Sequence, residues 1–280
     1  MTKTFVLLFS SADQKGIVAR IADLILKEGG NITAADQYTT DPHNGQFFMR
    51  VEFTVEDGSI SREKLEADFA AVERDFGGKA DIYDKARLLR MGVCVSKPDH
   101  CLADILYLWR AGDLPVNIPF VISNCEGHRK SVEQYGIPFH YIPATKEDRH
   151  EERLLSLVKD SDFLALARYM LVLSEDFLRK YAKDIINIHH GFLPSFKGAD
   201  PYRQALSEGV KVIGATAHFA TGKLDEGPII SQAVEHVSHT DGLADLVRKG
   251  KNLEKRALSQ ALAKYIDYRV IKHANKTIVF

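Results

Sequence analysis

The sequence has few cysteines, no excess of charge of either sign and no long hydrophobic run, and each absence excludes a class of protein. Its three cysteines, Cys94, Cys101 and Cys125, show neither the paired spacing of a metal site nor the even count of a disulfide framework. Lysine and arginine together number 37 against 38 acidic residues, so no overall field attracts nucleic acid or an anionic membrane. The cysteine content favours a reducing compartment.

Hydrophobic residues occur in short runs. The N-terminal run from Phe5 to Phe9 is too short for the core of a signal peptide or for a membrane span. With 45% hydrophobic and 27% charged residues, the 280-residue chain has the composition of a globular protein with a sizeable core. The length favours two domains, placed at residues 1–85 and 86–280. We expect a cytoplasmic protein that binds neither nucleic acid nor membrane.

The first 85 residues alternate between strand and helix patterns. "TFVLLFS" is typical of a buried strand, and "GIVARIADLILKEGG" has the apolar spacing of an amphipathic helix that ends at two glycines. In "GQFFMRVEFTV", Met49 and Val51 alternate with Arg50 and Glu52, the period of a half-buried strand. A helix opened by Ser61 and a last strand, "KADIYD", complete the order βαββαβ, which predicts an antiparallel ferredoxin-like sheet with both helices on one face.

The segment "SADQKGIVARIADLILKEGGNI" resembles the start of ACT domains, in which an amino acid often binds near the Asp-x-x-Gly turn between paired subunits. The resemblance covers residues 4–84. It implies an effector site at Asp13, Gly16, Asn31 and Ile32, with glycine as the preferred effector and methionine as its opponent, and a homo-oligomer formed through this domain. The residues alone also fit a plain helix entry, where a short polar side chain satisfies free backbone N–H groups.

From residue 91 onward the pattern becomes that of a parallel α/β sheet. Apolar runs at 91–95, 118–122 and 163–166 and in "DIINI" alternate with helical stretches such as "HCLADILYLWRAG". Such sheets are covered on both faces and bind ligands beyond the carboxyl ends of their strands. A Rossmann-like domain with a mostly parallel sheet is therefore predicted. The charges of the last helix, "GLADLVRKGKNLEKRALSQALAKYIDYRVI", are interpreted as a solvated face.

Polar side chains cluster where the strand "INI" ends. Asn187 and His189 lie two residues apart, so both point to the same face of the strand, and Asp225 lies in the glycine-bounded loop "GKLDEGP". An amide can donate to a developing oxyanion, an imidazole can transfer protons, and a nearby carboxylate orients the imidazole. His218, in "TAHF", is a further candidate on the neighbouring strand, and Leu193-Pro194 is a plausible cis bond.

The segments "NIHHGFLPSFKGADPYRQA", "IGATAHF" and "LDEGPII" together resemble the formyltransferase-type fold that handles 10-formyltetrahydrofolate, over roughly residues 88–235. This resemblance implies that Asn187 polarises the formyl oxygen and that Asp225 orients the attacking group. It also implies that His189 helps to stabilise the oxyanion and transfers protons. It also implies a set of folate-contacting residues, in "ARYMLVLS" and in a loop that closes over the pterin: Met170, Leu171, Leu173, Ala220, Thr221, Gly222, Lys223 and Leu224.

The acceptor of the formyl group decides the reaction. Enzymes that formylate a phosphorylated amine need a phosphate cradle after the first strand, which is normally glycine-rich, whereas this chain has "SKPDHCLADIL" there. Together with the ACT-like start and "NIHH", the pattern resembles the formyltetrahydrofolate deformylase family, which implies water as the acceptor. Gly191 stands where that family is expected to have serine, and His190 replaces the proline typical of the transferases.

The resemblance implies hydrolysis of 10-formyltetrahydrofolate to formate and tetrahydrofolate, which supplies formate for purine synthesis, with no cofactor. No metal is expected, because His189 and His190 are adjacent and cannot both point into one site from an extended strand. Two alternatives stay open: a folate-dependent formyltransferase with an amine acceptor, and a non-catalytic sensor. The presence of Asn187, His189 and Asp225 together argues against the sensor, since binding alone requires no such constellation.

Overall fold

The computed structural model describes residues 2–41, 43–56, 60–195 and 201–280. The chain forms two compact units: the first comprises Met1–Leu88, Asp267–Ile271 and Ile278–Phe280, and the second comprises Leu89–Ile266 and Lys272–Thr277. The division at residues 85 and 86 remains a prediction. Among the residues with a described structure, none of the helices combines the length and the apolarity needed to cross a membrane.

The first unit has the predicted βαββαβ order. Its antiparallel sheet has the strand order β2-β3-β1-β4. Local sequence explains the helix ends: the Ser61 hydroxyl accepts a hydrogen bond from the Lys64 amide at 3.2 Å, and Gly77 takes the left-handed conformation that ends the second helix. The elements are β1 (Lys3–Ala12), α1 (Ile17–Lys27), β2 (Gly30–Thr39), β3 (Gln46–Val55), α2 (Arg62–Phe76) and β4 (Lys79–Asp84).

Both faces of β3 are buried, which differs from the half-buried strand that the alternation predicts. Met49 and Val51 join the core against the helices, as expected. Arg50, on the opposite face, is also fully buried, and its Nε donates to the Tyr268 carbonyl at 3.2 Å while its Nη2 lies 3.4 Å from Asp267 Oδ2. The prediction was wrong on this point because residues from the end of the chain cover that face, and no local pattern reveals them.

The second unit is built on a seven-stranded sheet whose first five strands along the chain are parallel. The elements are β5 (Met91–Val95), α3 (His100–Ala111), β6 (Val121–Ser123), α4 (Arg129–Glu133), β7 (Phe139–Tyr141), α5 (Glu151–Val158), β8 (Phe163–Leu166), α6 (Glu175–Tyr181), β9 (Ile185–His189), α7 (Pro201–Ser207), β10 (Val212–Phe219), β11 (Ile229–His236) and α8 (Leu243–Ile266). Two short strands follow, β12 (Val270–His273) and β13 (Lys276–Val279), which pair with each other.

The strand order β11-β10-β9-β8-β5-β6-β7 locates the ligand edge of this sheet. From β5 the chain builds outward through β6 and β7, and then returns to the other side of β5 with β8 and β9. The order therefore reverses between β5 and β8, and α/β sheets bind their ligands outside the carboxyl ends of the strands at such a point. β10 pairs antiparallel with β9, and β11 pairs antiparallel with β10, so these two strands extend the sheet beyond β9.

The turn after β9 and the helix α8 give one confirmed and one wrong prediction. The Leu193-Pro194 bond is cis, as the sequence suggested. The interpretation of the α8 charges as a solvated face fails at Glu254, which is only 1% exposed. Its carboxylate is buried because three polar partners, described below, surround it. The part of the motif at residues 196–200, which includes Gly198, lies outside the described residues.

Candidate active site

Asn187, His189 and Asp225 converge at the carboxyl end of β9. His189 ends the strand and is buried, and its Nδ1 lies 3.3 Å from Asp225 Oδ2. Asp225 has a φ of 55° in the loop between β10 and β11. That loop passes so close to β10 that a Cβ at Gly227 would lie 1.7 Å from the Phe219 carbonyl oxygen, so only glycine allows this approach. The structure thus brings together the three residues that the sequence singled out.

His218, on the neighbouring strand β10, orients the amide of Asn187. Its Nδ1 lies 2.9 Å from the Phe219 carbonyl oxygen, an acceptor, so this nitrogen carries the proton and donates it. Its Nε2 is then an acceptor and receives a hydrogen bond from Asn187 Nδ2 at 3.1 Å. Burial lowers the pKa of His218, which favours the neutral form that this pattern needs. One amide hydrogen of Asn187 is used here, and no group in the described part of the chain accepts the second, which can bind a ligand.

These residues lie on the wall of a cavity of about 410 Å³. Most of the predicted folate residues line it: Met170, Leu171, Leu173, Ala220, Thr221, Lys223 and Leu224. Gly222 is not among the lining residues, and a Cβ at that position would meet the Glu175 side chain at 3.0 Å. The cavity therefore joins an apolar wall, which suits a flat ring system, to the polar groups at the strand ends.

Two polar residues of the cavity, Arg168 and His190, had no assigned role in the sequence prediction. His190 follows β9, and burial, reinforced by the charge of Arg168, lowers its pKa to about 4. Arg168 follows β8 with a φ of 64°, which is uncommon for a residue other than glycine. One signal was available for Arg168: it is the single charge in the apolar stretch "FLALARYMLVL", directly after a buried strand.

The buried carboxylate of Glu254, on α8, makes an ion pair with the Arg168 side chain. Glu254 Oε2 lies 3.1 Å from Arg168 Nε and 2.8 Å from His100 Nε2, and Oε1 accepts a hydrogen bond from Tyr202 Oη at 2.6 Å. Burial alone would raise the pKa of Glu254, but the hydrogen bond from His100, the charge of Arg168 and the Tyr202 hydroxyl outweigh it and lower the pKa. The carboxylate is therefore ionised.

His100, Cys101 and Glu254 also place potential metal-ligand atoms within 4.8 Å of one another. The chemistry of the group does not suit a metal. The two Glu254 oxygens already face the guanidinium of Arg168 and the hydroxyl of Tyr202, and burial raises the pKa of the Cys101 thiol, which disfavours the thiolate that binds metals. We assign these residues to the network around Glu254.

The predicted effector residues fall into two groups at opposite ends of the first unit's sheet. Asp13 Oδ2 accepts a hydrogen bond from Thr39 Oγ1 at 2.9 Å, and Gly16 starts α1 with a φ of 95°. Asn31 and Ile32 lie at the other end of β2, roughly 25 Å away at a rise of about 3.3 Å per residue. A single chain therefore does not bring the four residues together.

Comparison with known proteins agrees with this geometry. Residues 89–262 match the formyl transferase family and residues 5–74 match the ACT domain. The chain therefore belongs to the class of proteins that combine a formyl transferase domain with an ACT domain. The predicted fold class is confirmed.

Individual relatives narrow this class to one family. The chain is 44% identical to "Formyltetrahydrofolate deformylase 1, mitochondrial" of Arabidopsis thaliana, over 97% of this chain and 87% of that protein, and 44% identical to the formyltetrahydrofolate deformylase of Bacillus subtilis (strain 168), over 98% and 93%. The crystal structure of a formyltetrahydrofolate deformylase from Pseudomonas syringae pv. tomato matches with a TM-score of 0.95 at 39% identity, covering 99% of this chain and 94% of that one. The chain belongs to the formyltetrahydrofolate deformylase family.

Proposed function

We propose that this protein hydrolyses 10-formyltetrahydrofolate to formate and tetrahydrofolate through Asn187, His189 and Asp225. The observation that carries the proposal is the convergence of these side chains on one cavity, with His189 Nδ1 3.3 Å from Asp225 Oδ2. Attack by water on a carbonyl carbon requires groups that accept a proton and groups that stabilise the oxyanion. A carboxylate and an imidazole supply the first, and an amide donor supplies the second. The apolar wall of the same cavity, which includes Leu171 and Leu173, is suited to the pterin ring.

The reaction follows from the roles of these groups. Asp225 and His189 hold a water molecule and take a proton from it as its oxygen bonds to the formyl carbon. The second amide hydrogen of Asn187 and the protonated His189 stabilise the oxyanion of the tetrahedral intermediate. The bond from carbon to N10 then breaks, N10 receives a proton, and formate leaves with the loss of one further proton to solvent.

The segment after β5 supports water as the acceptor. The Ser96 amide donates to the Arg168 carbonyl at 3.1 Å, and the Ser96 hydroxyl accepts from the Met170 amide at 3.0 Å. These groups hold the β8 loop, and Pro98 has no N–H to offer. The Ser96 amide is therefore used within the chain, and this segment offers a phosphorylated amine fewer backbone N–H groups than a glycine-rich loop would.

One incubation tests the function. Purified protein is mixed with 10-formyltetrahydrofolate alone, and formate is measured with a coupled formate dehydrogenase. We expect formate and tetrahydrofolate in equal amounts. If formyl transfer occurs only after an amine is added and no formate is released without it, the protein is a formyltransferase and the proposal fails.

We further propose that two copies pair through the first unit and that an amino acid binds where they meet. β2 is an edge strand whose residues are mostly exposed, and edge strands offer unpaired backbone groups to a partner. Pairing of two copies is also the simplest way to unite Asp13 and Gly16 of one chain with Asn31 and Ile32 of the other.

Light scattering should show an oligomer, and glycine and methionine should change the rate of formate release in opposite directions. A monomer whose rate neither amino acid alters would contradict this.

A further inference from the structure

Arg168 reaches the same edge of the sheet as the proposed catalytic residues. Leu166 of β8 pairs in parallel register with Asn187 of β9, and two residues further along each chain are Arg168 and His189. Hydrogen bonds hold the Arg168 backbone in its left-handed conformation: its amide donates to the Leu166 carbonyl at 3.1 Å, and its carbonyl accepts from Ser96. A strained conformation that is held in this way often marks a functional position.

The Arg168 side chain is anchored at one end and open at the other. Its Nε is buried and makes an ion pair with Glu254 without hydrogen-bond geometry. Among the described residues, no group accepts a hydrogen bond from its Nη1 or Nη2, although the residue lines the cavity beside His189 and His190. Anchoring by Glu254 reduces the entropy that the guanidinium loses when it binds a ligand.

We propose that Arg168 is the binding site for the formate that the reaction produces. This inference rests on the proposed function. The guanidinium fork matches a carboxylate, with two parallel N–H groups for two oxygens. The formyl group of the substrate is neutral, and the carboxylate appears only after water has added and N10 has left. Arg168 therefore contributes to product binding and contributes little to substrate binding.

Among the described residues that line the cavity, no other lysine or arginine is as buried as Arg168, whose side chain is 12% exposed. Lys146 and Lys223 also line the cavity, but both are exposed. His190, next to Arg168, is neutral above its lowered pKa and can share a hydrogen bond with the anion without adding charge. Lys146 thus offers a matched control, a cation of the same cavity in an exposed position.

The test is a titration of the full-length resting enzyme with ¹³C-formate, followed by NMR line broadening, with chloride at the same ionic strength as the reference. We expect Arg168→Met to weaken formate binding at least about tenfold, or about 1.4 kcal/mol. Arg168→Lys should weaken it less, and Lys146→Met should leave it near the wild-type value. In steady-state assays, inhibition by formate should weaken in parallel, while KM for 10-formyltetrahydrofolate changes little.

Equal formate affinity in wild type and Arg168→Met, or no formate binding by the wild type, would overturn the inference. So would a loss of binding in Lys146→Met as large as in Arg168→Met. If Arg168→Met fails to fold, the Arg168→Lys variant still tests the site. Failure of the proposed function is seen separately, as an absence of formate release from 10-formyltetrahydrofolate by the wild type, and the titration needs no turnover.

Discussion

The side chains of Asp225 and His189 contact each other in a buried position, where solvent cannot replace either partner. The side chains are only 7% and 5% exposed, and they lie 3.3 Å apart. Replacing Asp225 by Asn keeps the size of the side chain but removes its charge and its ability to accept a proton, and replacing His189 by Ala removes the imidazole. We expect each change to lower the turnover number about 10²- to 10⁴-fold, as measured by formate release.

The control for this pair is Asp176→Asn, which removes a carboxylate from the exposed face of α6, where it pairs with Arg179 and Lys180. That variant should hydrolyse the substrate at the wild-type rate. Asn187 belongs to the same group through its hydrogen bond to His218. Near wild-type formate release by Asp225→Asn or His189→Ala would remove these residues from the mechanism.

His190 makes the stability depend on pH. Burial, with the charge of Arg168, lowers its pKa from 6.5 to about 4. Between these values the unfolded chain binds a proton that the folded chain does not, so the free energy of unfolding decreases as the pH falls through this range. The decrease reaches about 3 kcal/mol below pH 4, because one pKa unit corresponds to about 1.36 kcal/mol.

Urea denaturation at pH 7 and pH 5 measures this effect. The His190→Asn variant has no imidazole at this position, so its stability should fall less between the two pH values than that of the wild type. His239→Asn, at an exposed position, should behave as the wild type does. An identical pH response of wild type and His190→Asn would show that His190 does not supply this dependence.

At the scale of the elements, one close contact of α8 with Tyr202 requires glycine at position 250. A Cβ at Gly250 would lie 2.0 Å from the hydroxyl oxygen of Tyr202, the residue that donates to Glu254. Alanine would favour the helix itself by up to about 1 kcal/mol, but overpacking costs about 1–3 kcal/mol, and the displaced hydroxyl loses a charged partner. We therefore expect Gly250→Ala to lower the free energy of unfolding, as measured by urea denaturation.

The Tyr202→Phe change gives a control in the same place. Tyr202→Phe removes the hydroxyl oxygen, the atom closest to the methyl group that Gly250→Ala introduces. Tyr202→Phe should therefore lower the free energy of unfolding less in the Gly250→Ala background than in the wild type. If Gly250→Ala is as stable as the wild type, a methyl group at position 250 does not displace Tyr202, and the explanation is wrong.

The sequence predicted most elements but not all of their bounds. The apolar run at 118–122 forms a strand only from Val121, because Pro119 has no N–H to pair. The charge of Glu254 suggested a solvated position, but the residue lies four positions after Gly250 and four before Leu258, on the buried side of α8. Its burial depends on Arg168, His100 and Tyr202, which belong to three other parts of the chain, and a helical pattern contains no information about them.

At the scale of the whole molecule, the end of the chain completes the first unit. The ring of Tyr268 stacks on that of Tyr83 at 4.1 Å, and its carbonyl accepts a hydrogen bond from the buried Arg50. We expect Tyr268→Ala to lower the free energy of unfolding by about 3 kcal/mol, as large-to-small changes of buried aromatic residues do. Hydrogen exchange of the β3 amides should increase.

Leu26→Ala on α1 is the control in the same unit, because that side chain is 72% exposed and its removal leaves no cavity. It should change the stability little. If both variants have the same stability, the C-terminal residues add little to the first unit, and the burial of Arg50 has another origin.

By itself, the sequence determined the order of helices and strands, the two patterns of sheet, and the identity of the strand that carries Asn187 and His189, because periodicity and turn residues act over a few neighbours. Only the tertiary structure decided which distant side chains meet. It placed Asp225 against His189, Glu254 behind Arg168, and the last residues over Arg50, since each contact depends on how separate segments pack, and local pattern contains no such distances.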